Sequence, residues 1–226
     1  MEQFAAEHSQ SSYETILESQ DPVIGNYTQV MNAEGKSIVS DKQRERIVSM
    51  MYYLVKRKEY KVETFYVAVS IMDRYFNKLI NVFGYQNTPN WVQMAAVCVL
   101  MAAKLNQPVS PSFNRMIEQI PEDKRQAVSK SALIQLEFKI VTALEFELQW
   151  AGPMVTLERY LYLLGFHKNT QVYYVAREVS KYVAHKADLC LTLRPSEVAA
   201  IAATLALNVL SDAKVCKALK IDCPLI

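Results

Sequence analysis

Glycine is scarce in this chain, with five in 226 residues, and neither Asn-Gly nor Asp-Gly occurs. Those dipeptides are the strongest short hairpin signals, so their absence favours helices over sheet. Histidine is scarcer still: His8, His167 and His185 are the three in the chain. His8 falls in the N-terminal tail, His167 in a turn and His185 on a helix beside Tyr182. No nucleophile–base spacing and no metal-ligand cluster forms around them, so an enzyme is the least expected reading and neither metal nor cofactor is expected. The four cysteines, Cys98, Cys190, Cys216 and Cys223, include no CxxC pair. Cys98 and Cys190 lie in apolar helical context, as small core residues do. Cys216 and Cys223 are close enough in sequence to bridge, but nothing else suggests secretion. An excess of one charge is also missing: 25 basic against 23 acidic residues leave a net charge of +2. That balance gives no electrostatic footprint for nucleic acid or an acidic membrane. The opening MEQFAAEHSQSSYE is polar and acidic and has no signal-peptide core. A reducing setting, cytoplasm or nucleus, follows from these absences.

What is abundant is apolar helix. The stretch Trp91–Leu105 reads WVQMAAVCVLMAAKL, and between Trp91 and Ala103 its one polar side chain is Gln93. At helical pitch such a segment is apolar all round and is expected to be a buried central helix. It is too short for a membrane span, which needs ~20 apolar residues. A second stretch resembles it: VAAIAATLAL at 198–207 aligns with MAAVCVLMAA at 94–103, an offset of 104 residues (198 − 94). Six of the ten pairs are Ala–Ala or exchanges among Val, Ile, Met and Leu. The expectation is an all-α fold of two tandem helical bundles, one around each of these helices, each the most buried of its half.

The remaining pattern is consistent. Residues 1–12 read as a tail, 13–20 as a short helix and 21–39 as a loop with Pro22, Gly25 and Gly35. Ser40-Asp41-Lys42-Gln43 forms a capping box for a helix whose face carries Ile47, Val48, Met51, Leu54 and Val55. Its end, Lys56-Arg57-Lys58, suits a helix C-terminus. From Glu63 the stripe Phe65, Val69, Met72, Phe76, Leu79 predicts a second helix, interrupted by Asp73 and Arg74. Pro108 and Pro111 end the central helix and position a short helix at 112–120. A long helix is predicted from about Lys124 or Ser131 to Glu147, then helices near 153–165, 170–189, 195–210 and 212–220. Pro195, with Glu197 behind it, starts the second apolar helix. The domains expected are an N-terminal tail and short helix at 1–39, a first fold at 40–150 and a second at 151–226. After Leu210 there is room for only a short helix, so the second fold is expected to be incomplete.

Two charges sit in apolar surroundings. Lys104 ends the central helix, where a cation complements the helix dipole or snorkels to solvent. Glu137 lies within the arc spanned by Leu133, Leu136, Ile140, Val141 and Leu144 on the long helix. It either bends out to solvent from the edge of that face or meets a cation. An unpartnered carboxylate there is costly, and Lys104 is the natural candidate.

In their order along the chain these residues resemble the cyclin family, with two cyclin folds and closest to the mitotic A/B group. Glu63-Thr64 through Val69, followed by Asp73-Arg74-Tyr75-Phe76, resembles the family's ET-x-x-x-AV and DR-[FY]-[LF] helix. Met101-Ala102-Ala103-Lys104 resembles the end of its third helix, and Ser110-Pro111-Ser112 its following proline turn. Leu136-Glu137 and Leu144-Glu145-Phe146-Glu147-Leu148 resemble the fifth helix's M-E and L-x-F-x-L. Leu193 to Ala200 resembles the LPS-x-x-A-A-A start of the second fold's third helix. The resemblance covers roughly residues 40–210. It implies that Lys104 and Glu137 hydrogen-bond a kinase near its C-helix. It further implies that Asp73 and an arginine are the structural polar residues of the cyclin box, the arginine being Arg46, with Arg44 the alternative.

There are departures. Gln93 stands where the family has a leucine, and Asn106-Gln107 replace an acidic pair. In the family's docking patch, around MRAIL and a Trp, the chain reads Glu45-Arg46-Ile47-Val48-Ser49, with Tyr52 or Tyr53 for the Trp. Val48 and Tyr52 would be what remains of that patch, and recruitment of RxL-type substrates is expected to be weak. No RxxL or KEN destruction signal occurs.

The resemblance implies a regulatory subunit of a cyclin-dependent serine/threonine kinase, acting in a heterodimer in the cell cycle without chemistry of its own. The alternative is a cyclin-fold scaffold in a larger assembly that activates no kinase. Nucleic-acid binding of the transcription-factor-IIB kind, which shares the fold, is disfavoured by the near-neutral charge.

Overall fold

The computed structural model describes residues 23–84, 88–150, 152–166 and 170–212. The helix predicted at 13–20 and all but the first residue of that at 212–220, together with His8, His167, Cys216 and Cys223, lie outside them. Among the described residues the structure is helical, and its one extended pairing is the bridge between Met31 and Ser37. None of these helices is long and apolar enough to cross a membrane.

The described residues form two compact units, one of 24–152 with 181–192 and the other of residue 23, 153–180 and 193–212. The larger unit thus takes in a segment, 181–192, that lies beyond the 150/151 boundary drawn from the sequence.

In the larger unit, α1 (Asp41–Arg57) opens on the expected capping box. Ser40 Oγ accepts from the Gln43 N–H, and the Ser40 N–H donates to Gln43 Oε1 at 2.8 Å. Lys56 and Arg57 close the helix on its negative end. The chain then reverses through Glu59, at φ 53°, into α2 (Val62–Asn77), which runs on as a π-helical turn at Lys78–Val82. Asn90 caps α3 (Trp91–Asn106), its side chain accepting from the N–H groups of Val92 and Gln93. Every residue of α3 from Val92 to Ala103 is buried except Gln93. The helix is therefore the axis of the unit, packed on α1, α2 and α5 (Lys130–Ala143). Full burial of a Val, Leu or Met side chain contributes ~1.5–3 kcal/mol, so α3 dominates the core. The short α4 (Phe113–Gln119) is capped by Ser112 and packs between α3 and α5.

α5 stops at Ala143, short of the predicted end at Glu147. Glu145 and Phe146 both adopt left-handed backbone, at φ 53° and 64°. The Phe146 N–H then bonds the Val141 carbonyl and the Glu145 N–H the Thr142 carbonyl, the paired bonds of a Schellman helix end. No glycine or proline announces this stop.

In the smaller unit, α6 (Pro153–Leu163) packs on α8 (Pro195–Ser211), while α7 (Gln171–His185) is divided between the units. Pro195 takes the first turn of α8, and Glu197 accepts from the Arg194 N–H at 2.7 Å. α3 and α8 start 104 residues apart (195 − 91), the offset of the sequence repeat. Their burial differs. Where α3 is enclosed, α8 buries Val198, Ala199, Ala202, Ala203, Ala206 and Leu210 but exposes Ile201 and Leu205. α8 thus buries one stripe at helical spacing, and its exposed side mixes Ile201 and Leu205 with Ala200, Thr204 and Asn208.

Candidate partner-docking site

A buried polar cluster organises the larger unit. Arg44, on α1, is completely buried. Its Nε donates to Asp73 Oδ1 at 2.9 Å and its Nη2 to Oδ2 at 2.7 Å, a two-pronged pair across to α2. The remaining nitrogen, Nη1, donates to the backbone carbonyls of Ala184 and His185 at 3.0 and 3.3 Å. The Tyr27 hydroxyl donates to Asp73 Oδ1 at 2.6 Å. Burial opposes the charge on Arg44, but the Asp73 carboxylate outweighs it and holds the guanidinium above its usual range. Burial, and then the Asp73 charge, push the Tyr27 phenol well up. One arginine thus ties α1, α2 and the segment 181–192 together.

This corrects the expectation for Arg46. The core face of α1 runs through 44, 47, 48, 51, 54 and 55. Arg46 is two residues, about 200°, from Arg44 and cannot share that face. It lies outside instead, its guanidinium 3.9 Å from the centre of the Trp91 ring.

The expected docking patch is corrected too. Val48 is on the core face and has no exposed surface. Tyr52 is half-buried against Phe65 and His185, with ring centres 5.6 and 6.2 Å away. Lys56 and Lys181 lie 5.8 and 5.0 Å from its ring centre. Glu45 is held by Lys186 at 2.6 Å, which raises the lysine's pKa through that hydrogen bond. Gln93 donates to the Ala127 carbonyl at 2.8 Å, and Gln107 to Thr64 Oγ1 at 2.7 Å.

The structure brings Lys104 and Glu137 together. Lys104 Nζ meets Glu137 Oε1 at 2.7 Å, and the ammonium lies 4.9 Å from the centre of the Phe113 ring. The lysine side chain keeps 36% of its surface and the glutamate 21%, so both remain within reach of a partner. Leu105, next to the lysine, is 43% exposed, and Ile134, one turn before Glu137, is 44% exposed. At the end of α5, Phe146 is 76% exposed on left-handed backbone. Beside it Glu145 pairs with Lys78, and that hydrogen bond lowers the carboxyl's pKa. A polar pair bordered by exposed apolar side chains has the composition of a protein-docking face. Among the described residues no group of acidic, histidine and cysteine side chains is placed to hold a metal.

Residues 13–149 match the family model described as the cyclin N-terminal domain, more than half of the chain. The chain belongs to the cyclin family. It is 26% identical over 157 residues to a G2/mitotic-specific cyclin-A of Hydra viridissima, covering 69% of this chain and 35% of that one. It is 26% identical over 202 residues to a G2/mitotic-specific cyclin-B2 of Oryzias luzonensis, covering 85% and 45%. It therefore spans less than half the length of these relatives. In fold it is similar to a viral cyclin from herpesvirus saimiri, with TM-score 0.64 and 18% identity over 82% of this chain and 76% of that one. It is also similar to a chain of the yeast RNA polymerase II CTD kinase complex CTDK-1, with TM-score 0.59 and 13% identity over 80% and 61%. Within this cyclin, Tyr27 is the member of the buried cluster that sequence reasoning missed. It opens a single 3-10 turn, Tyr27–Gln29, too short for any periodicity to mark it.

Proposed function

We propose that this cyclin is a non-catalytic regulatory subunit that binds and activates a cyclin-dependent serine/threonine kinase of the cell-cycle type. The observation that carries the reading is the Lys104–Glu137 pair, formed at 2.7 Å where the family's kinase-binding lysine and glutamate are expected. Its exposed apolar borders, Leu105 and Ile134, support it. In this reading the two charges order each other and offer their remaining hydrogen-bonding capacity to the kinase beside its C-helix. Docking there holds the C-helix inward, so that the kinase's glutamate pairs with its ATP-anchoring lysine and the activation loop is released. The chemistry belongs to the kinase. The complex acts in the cytoplasm or nucleus.

The test is co-expression with a panel of cyclin-dependent kinases, followed by purification through this chain and a phosphorylation assay on a peptide substrate. A stoichiometric kinase, active only with the cyclin present, is the expected result. A kinase-free assembly of several proteins would instead make the chain a scaffold.

A further inference from the structure

Two residues carry a hydroxyl directly before a proline: Thr88 before Pro89, and Ser110 before Pro111. The residue before a proline is held to extended backbone, the conformation in which a chain threads an active-site cleft. The two settings differ. Thr88 is exposed, and none of the residues from Thr88 to Asn90 is buried or in regular structure. Ser110 is exposed as well, but Pro111 is buried and pins its segment to the core.

Thr88 stands where two cavities of the larger unit adjoin, and it lines both. One, about 660 Å³, runs between the end of α2 and α5, over Leu79 and Leu136, with Lys139 on its wall. The other, about 220 Å³, lies over Ile47 and Phe76, with Arg46 on its wall. No Asp or Glu lines either cavity, and Lys139 and Arg46 are the ionised groups that do. Neither cation forms an ion pair among the described residues. The Arg46 guanidinium rests on the Trp91 ring, 3.9 Å from its centre. A guanidinium held on a ring keeps its in-plane N–H donors for another partner. In a chain with 25 basic and 23 acidic residues, one exposed hydroxyl is thus flanked by two uncompensated cations.

We infer that Thr88 is a phosphorylation site and that Arg46 and Lys139 receive the phosphate. A proline-directed protein kinase carries out the transfer, with ATP as donor. Thr88 Oγ1 attacks the γ-phosphorus and a new O–P bond forms. The bond from that phosphorus to the ADP oxygen breaks, and the hydroxyl proton passes to the kinase's base. The products are phosphothreonine and ADP. The phosphate carries about −1.5 to −2 charge at pH 7, which matches the two cations. Arg46, on α1, offers two parallel N–H groups, and Lys139, on α5, a compact ammonium on a flexible stem. The modified residue therefore links α1 to α5 through the segment that leads into α3, and it neutralises a positive surface. Neither Lys104 nor Glu137 takes part, so the site is independent of the kinase-docking reading.

The folded full chain is incubated with a recombinant proline-directed serine/threonine kinase and ATP, and the modified positions are quantified by mass spectrometry. Thr88 should be filled at least about tenfold faster than Ser110, whose segment must first open. Thr88→Val should remove that phosphate. Phosphorus NMR of the product over about pH 5 to 8 then reads the surroundings of the phosphate. Its second proton should leave at lower pH than in the same chain unfolded in urea, because the two cations favour the dianion. Arg46→Gln and Lys139→Gln, both at exposed positions, should each reduce this shift, and R46Q/K139Q should abolish it with unchanged circular dichroism. The inference is overturned if the folded chain takes no phosphate, or takes it at Ser110 or elsewhere in preference to Thr88. It is equally overturned if the phosphate titrates alike in the folded and unfolded chains, or if the shift survives in R46Q/K139Q.

Discussion

Arg44 and Asp73 form a two-pronged ion pair, at 2.9 and 2.7 Å, in which neither side chain has exposed surface. Two charges withdrawn from water repel burial unless every donor and acceptor is used. Here the guanidinium's third nitrogen reaches the Ala184 and His185 carbonyls, and the carboxylate also accepts from Tyr27. Removing one partner strands the other. Arg44→Ala should therefore lower the unfolding free energy by ~3–5 kcal/mol. Arg46→Ala removes only an exposed cation–π contact, worth ~0.5–1 kcal/mol. Urea denaturation of the two variants measures the difference. Equal losses would show that the cluster is not what ties these helices together.

The same pair shows where sequence reasoning stops. α3 was legible because a run with one polar side chain between Trp91 and Ala103 has only one stable location, the interior. Lys104 and Glu137 were legible because helical phase and a helix end place them without reference to distant partners. Arg44 was not. Its burial depends on an aspartate 29 residues away and carbonyls 140 and 141 residues away, which no local pattern contains. The end of α5 was hidden for another reason: Glu145 and Phe146 take left-handed backbone without the glycine that usually announces it. In α8 the apolar residues lie on many sides, so helical phase alone did not divide the covered side, with Val198, from the uncovered side of Ile201 and Leu205.

That uncovered side gives a second prediction. Ile201→Ser and Leu205→Ser should each change stability by no more than ~0.5 kcal/mol, as surface substitutions do. Leu210→Ala, on the buried face, should cost ~2–5 kcal/mol. Urea midpoints of the three variants decide it. A loss at Leu205 as large as that at Leu210 would mean that the exposed face is covered in solution.

Stability should fall at alkaline pH. Burial pushes the thiol of the partly buried Cys190 from an ordinary 9.0 up to about 12, and raises that of the fully buried Cys98 as well. Burial and Asp73 raise the Tyr27 phenol. Below pH 9 the thiols are neutral in both states and contribute no pH dependence. Above it the unfolded chain releases these protons while the folded chain keeps them, so unfolding is favoured as pH rises. The slope is ~1.4 kcal/mol per pH unit for each such group. Urea denaturation from about pH 7.5 to 10.5 should show a steady decline above about pH 9, shallower in Cys190→Ala. A flat profile would contradict the burial of these groups.

Lys104 and Glu137 provide the decisive test of the kinase reading. Within the isolated cyclin their ion pair is partly solvated, with side-chain exposures of 36% and 21%. Such a pair contributes only ~0–1 kcal/mol to folding. Lys104→Ala and Glu137→Ala should therefore fold normally, with unchanged circular dichroism and nearly unchanged urea midpoints. At a kinase interface the balance changes, because the partner removes the remaining water. Losing one member then leaves the other buried and poorly paired, a cost of ~2–5 kcal/mol expressed mainly in the dissociation rate. Each single variant should thus lose most kinase binding. The double variant should lose much less than the sum, because both singles destroy one shared interaction. Surface plasmon resonance with the kinase recovered by co-purification, run as a double-mutant cycle, reads all three. Normal binding by both single variants would remove the pair from the interface. Strictly additive losses would mean that each residue meets the kinase separately, rather than through the 2.7 Å contact that joins them.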